Sequence, residues 1–166
     1  MTSFSTTWYD AENKKVPEGL DYILNWIKNA PRMNELGYPI DLIVGTDSHI
    51  KGQIFRFPTV VCLHSHRMGG LYYYTVTNEP RSLFKGNQQF RMFTEVEKSI
   101  EIGNLIEEKT GRKPIIHIDA SKKGTGHFTS AFSDGLKGYA IGSGFEACLK
   151  PESFVANAIS DRHSHG

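Results

Sequence analysis

The chain has 166 residues, 39% hydrophobic, 11% aromatic and 22% charged, with a formal net charge of +1. That length suits one domain with a sizeable core, and that composition excludes a disordered chain. The near-neutral charge excludes binding to nucleic acid through overall charge, and leaves only local basic patches for such a partner.

The opening residues 1–15 contain no apolar core of a signal peptide, and no apolar run is long enough to span a bilayer. Cys62 and Cys148 lie inside apolar segments and match no zinc spacing, so both read as buried free thiols. These features predict a protein of the reducing cytoplasm, with no membrane contact.

After the polar leader, Pro17 opens a helical stretch with Leu20, Ile23, Leu24 and Ile27 on one face, and Pro31 ends it. The first strand is expected over 41–47, the second over 54–64 and the third over 71–77, with Met68-Gly69-Gly70 as the intervening turn. Short joins imply an antiparallel meander. The segment 78–89 reads as a basic loop containing Arg81 and Lys85. A long helix follows over 90–109, with a buried stripe of Val96, Ser99, Ile100, Gly103 and Ile106 and a C-terminal Gly111.

A fourth strand spans 115–119. Phe128, Ala131, Phe132, Leu136 and Tyr139 mark the next helix, and Gly142–Gly144 turns into a strand over 145–149. Pro151 starts a last helix carrying Phe154, Val155, Ala158 and Ile159. The order is β-β-β-α-β-α-β-α behind an N-terminal helix. It predicts an α/β domain over 1–166, with 1–40 as an N-terminal addition and 41–163 as the core.

Two of these strands end alike. Leu42-Ile43-Val44 runs into Gly45-Thr46-Asp47-Ser48, and Ile115–Ile118 runs into Asp119-Ala120-Ser121. A carboxylate at the end of a buried strand loses hydration, and a bound divalent cation is one common compensation. The competing readings are local. Asp47 could satisfy backbone N–H groups in a turn, and Asp119 could cap the following helix. The same posture twice favours a site.

This order, with acids closing its first and fourth strands, resembles the ribonuclease H fold: a mixed five-stranded sheet of three antiparallel strands and then alternating helices and strands. In that fold the first and fourth strands are neighbours. The resemblance implies two further acids, one from the helix after the meander and one from the last helix. Asp161, in Ser160-Asp161-Arg162, matches the last-helix acid. For the other, Glu95, Glu97 and Glu101 compete. At roughly 100° per residue, Glu95 falls beside Ser99, Ile102 and Ile106, whereas Glu97 and Glu101 fall on the opposite face. Glu95 is therefore expected at the site. The segments Ile43–Ser48, His117-Ile118-Asp119, Gly144-Phe145-Glu146 with Lys150-Pro151, and Ala158–Arg162 are similar to the YkuK-like group of small ribonuclease H-like proteins.

The resemblance implies a metal-dependent nuclease or phosphodiesterase, with Asp47, Glu95, Asp119 and Asp161 holding two Mg²⁺ or Mn²⁺ ions about 4 Å apart. RNA, DNA or a hybrid is the implied partner. Ser48, Arg81, Lys122 and Lys123 are candidate substrate contacts. His49 and His117, each two residues from an acid, either support the site or are simply buried. The alternatives are a nucleic-acid-binding or scaffold module without turnover, and, less well matched in length, a nucleotide phosphotransferase.

Overall fold

The computed structural model describes residues 7–66, 68–121, 131–150, 152, 153 and 155. In chain order the elements are β1 (Tyr9–Asp10), α1 (Leu20–Asn29), β2 (Ile40–Thr46), β3 (His49–Lys51), β4 (Ile54–Ser65), β5 (Gly69–Pro80), α2 (Gln88–Thr110), β6 (Ile115–Ser121), α3 (Ser133–Gly142) and β7 (Ala147–Lys150).

One sheet runs in the order β1-β5-β4-β2-β6-β7, and β3 adds onto β4. Strands β2, β4 and β5 pair antiparallel, whereas β2–β6 and β6–β7 pair parallel. This is the expected mixed α/β arrangement with β2 and β6 as neighbours. The strand count is a correction: the sheet has seven strands, not five. The two additions are short. Strand β1 comes from the supposed polar leader and pairs Tyr9 with Tyr74, and β3 pairs His49 with Arg56. Gly69 and Gly70, read as a turn, instead open β5 opposite Ser65 and His64. A side chain at Gly70 would come within 2.7 Å of the Leu63 carbonyl oxygen, so the strand accepts only glycine there without shifting.

The sheet separates two cores. On one face, Leu42, Val44, Ile116 and Ile118 pack with Ile23 and Ile27 of α1, Val96, Ile102 and Ile106 of α2, and Leu136 and Ala140 of α3. On the other, Ile43, Val60, Cys62, Tyr72 and Tyr74 pack with Val155. The alternation of Leu42, Ile43 and Val44 between clusters is the period-two pattern of a strand covered on both sides. The N-terminal addition belongs to the first core, because Trp8 is fully buried there. Among the described residues, no helix is long and apolar enough to cross a membrane.

Helix α2 carries the geometry forward. Asn87 caps its start by accepting from the Phe90 N–H, and Gly111 ends it at φ 76°. Gly103 lets it approach the sheet: a Cβ there would lie 3.0 Å from the Phe145 ring. The helix expected from Pro151, like the Lys122–Lys123 segment, falls outside the described residues apart from Glu152, Ser153 and Val155.

Candidate functional site

The site begins at an interruption in a strand. Pairing of β2 with β4 ends at Thr46↔Thr59, and pairing of β3 with β4 resumes in the same register at His49↔Arg56. Asp47 and Ser48 occupy the gap, opposite Pro58 and Phe57. Pro58 has no N–H to give, so the ladder loses a donor there. The Asp47 N–H makes one long bond to the Pro58 carbonyl, at 3.4 Å. Released from regular pairing, the Asp47 carboxylate turns onto its own surroundings. Its Oδ1 accepts from the Ser48 N–H at 2.8 Å, and its Oδ2 lies 3.3 Å from His49 Nε2.

Helix α2 brings the second acid. Glu95 is buried and Glu97 is exposed. The Ser48 hydroxyl donates to Glu95 Oε2 at 2.5 Å, linking the strand break to the helix. One turn further along α2, Ser99 Oγ lies 2.7 Å from Thr46 Oγ1, which in turn lies 2.9 Å from Thr59 Oγ1. This buried hydroxyl chain pins α2 to β2 and β4 immediately behind the acids.

Asp119 arrives on β6, the parallel neighbour of β2. The pairing of β6 with β7 shifts register between His117 and Ser121, and Asp119 sits within that irregular stretch. Its Oδ1 lies 2.5 Å from Lys150 Nζ at the end of β7.

The three carboxylates feel one another. Glu95 binds its proton far more tightly than an ordinary glutamate, first because burial removes water and then because Asp47 lies beside it. Ser48 and Arg91 oppose that rise, and Asp119 adds to it. Asp119 is also raised, by burial and then by Asp47, with Lys150 pulling it back.

The structure describes some of the other sequence candidates. Ser48, expected at substrate, is buried and bonded to Glu95. Arg81 follows β5 and is held by the β3–β4 turn: its N–H donates to the Gln53 carbonyl at 2.9 Å and its Nη1 to the Gly52 carbonyl at 3.4 Å. His49 touches Asp47, but His117 is a buried ring pushed down to about 4 by burial and by His64, so it is neutral at pH 7. Asp161, Lys122 and Lys123 lie outside the described residues.

Lys150, quoted from the sequence only within the Lys150-Pro151 segment, is a side chain that sequence reasoning did not place against Asp119. The signal was a lysine closing an apolar strand, the same posture that singled out the acids. What hid it was the pairing of β7 with β6.

A family model described as Ribonuclease H-like matches residues 21–165. The chain belongs to the ribonuclease H-like family. Comparison with curated proteins and with solved structures finds no match. The family match spans the break after β2, α2 and β6, which supply Asp47, Glu95 and Asp119 of this ribonuclease H-like chain.

The donor set is all oxygen and suits Mg²⁺ or Mn²⁺ better than Zn²⁺. Among the described residues, no group of three or more His, Cys, Asp or Glu side chains is arranged as a ready cage for a metal ion. The oxygens lie instead against protein groups: the Ser48 hydroxyl, the His49 ring and the Lys150 ammonium.

Proposed function

We propose that this chain is a YkuK-like ribonuclease H-like protein that hydrolyses phosphodiesters in nucleic acid with Mg²⁺ or Mn²⁺. The observation that carries this reading is the convergence of three acids: Asp47 at the break after β2, Asp119 on the neighbouring strand β6, and Glu95 of α2 joined to the break through Ser48; burial first, and then the charge of Asp47, raises the proton affinity of Glu95 and Asp119. A fold gains no stability from three such acids in one place, and buried carboxylates with perturbed proton affinity are a mark of function. When bound, a divalent ion polarises a phosphoryl oxygen and lowers the pKa of an attacking water. Asp47, just past the end of β2, and Asp119, on the neighbouring strand β6, would supply oxygens. Glu95, oriented by Ser48, would supply a third set, and Asp161 is the proposed fourth acid.

The hydroxyl chain through Thr46, Thr59 and Ser99 holds the helix and strand in register, which such chemistry needs for orientation. Lys122 and Lys123 are proposed phosphate contacts.

A second reading, a nucleic-acid-binding module without turnover, is favoured by one specific observation: each described carboxylate already has a protein partner.

The test is a cleavage screen of the purified chain over RNA, DNA and RNA–DNA hybrid with Mg²⁺ and with Mn²⁺. Cleavage lost by about a thousandfold or more in Asp119→Asn, with the fold retained, supports the hydrolase. Metal-independent binding of one of these nucleic acids without cutting supports the module instead.

A further inference from the structure

We propose that Lys150 is the resident counter-cation of the carboxylate cluster, and that a divalent ion must displace its ammonium from Asp119 to load the site. The inference rests on the metal-site reading above and deepens it.

Among the described residues, Ser48, His49 and Lys150 lie against the acids, while Arg91 acts on Glu95 through its charge. Ser48 offers Glu95 a neutral hydroxyl, and His49 offers Asp47 a ring that is charged only when protonated. Lys150 alone among these three brings a standing positive charge into direct contact, 2.5 Å from Asp119 Oδ1. That contact lies at the core of the site, since Asp119 is the acid on the strand next to β2 and feels the charge of Asp47.

The lysine is also built to leave. It is the last residue of β7, and its side chain is 39% exposed while that of Asp119 is 17% exposed. A long flexible stem with a strongly hydrated head group can swing to solvent at little cost. A divalent ion approaching the same oxygen meets a like charge at contact distance, so the two compete for Asp119. While the lysine is in place, it offsets the repulsion between Asp119 and its neighbours. Once the ion is in place, that task passes to the metal.

The test is calorimetric titration of Mn²⁺ into the full chain at neutral pH and low salt, together with thermal melts with and without Mn²⁺. The wild type is compared with Lys150→Met, Lys150→Gln and Lys150→Arg. Both neutral variants should bind Mn²⁺ about tenfold or more tightly than wild type, because a like charge at the ligand is gone. They should melt lower than wild type without metal and gain more from Mn²⁺. Lys150→Arg keeps the charge and should bind like wild type. Wild type binding Mn²⁺ with the neutral variants equal to it or weaker would make Lys150 a structural partner of Asp119. The inference would then fall and the metal-site reading would stand. No Mn²⁺ binding by any of the four proteins would remove the metal-site reading, and the inference with it.

Discussion

Replacing Glu95 with Gln isolates the electrostatic strain in the cluster. Glu95 is 6% exposed, and burial followed by the charge of Asp47 raises its proton affinity well above the ordinary value of 4.5. Glutamine has the shape of the protonated acid, and its carbonyl oxygen can still accept from the Ser48 hydroxyl. The sign follows from linkage. The native state holds the Glu95 proton more tightly than the unfolded chain, so its favourable contribution is complete below about pH 4.5 and is lost as pH rises through the native value. Each tenfold rise in proton affinity amounts to ~1.4 kcal/mol, which for a chain of this length is roughly 3–6 °C in Tm. Glu95→Gln, fixed in the neutral form, should therefore be more stable than wild type at pH 8 and melt at a higher temperature. The assay is a series of metal-free melts from pH 4 to pH 8 for both proteins. The difference should be small at the acid end and widen towards pH 8. A variant that melts below wild type at pH 8, or a difference that does not change with pH, would refute the electrostatic argument.

Two further outcomes test the frame that holds the acids. Thr46→Val removes the hydroxyl shared by Thr59 and Ser99, leaving two buried hydroxyls short of a partner, and should cost about 1–3 kcal/mol in urea unfolding. Trp8→Ala empties a fully buried position and should cost about 3–5 kcal/mol, measurable as a lower denaturation midpoint with unchanged slope. A near-neutral Trp8→Ala would mean that the segment around β1 is dispensable.

The sequence by itself determined what depends on neighbours along the chain. The apolar runs of β2, β4 and β6 and the stripe of α2 are long and periodic, so their burial was legible before any pairing was known. Helical phase alone distinguished Glu95, buried, from Glu97, exposed. Strand ends exposed Asp47 and Asp119 as acids placed where hydration is lost. What only the tertiary structure decided depends on partners far away in sequence. Two-residue β1 carries no readable period, and it forms because Tyr73 and Tyr74 offer it a ladder while Trp8 beside it finds a core. Gly69 and Gly70 have turn chemistry, but β4 runs opposite them and draws them into β5. The break at Asp47–Ser48 arises from Pro58, eleven residues after Asp47, and the pairing of Lys150 with Asp119 arises from the parallel alignment of β7 on β6. Periodicity reports which face of an element is buried. It cannot report which element will be found there, because that choice is made by contacts whose ends are joined only when the sheet closes.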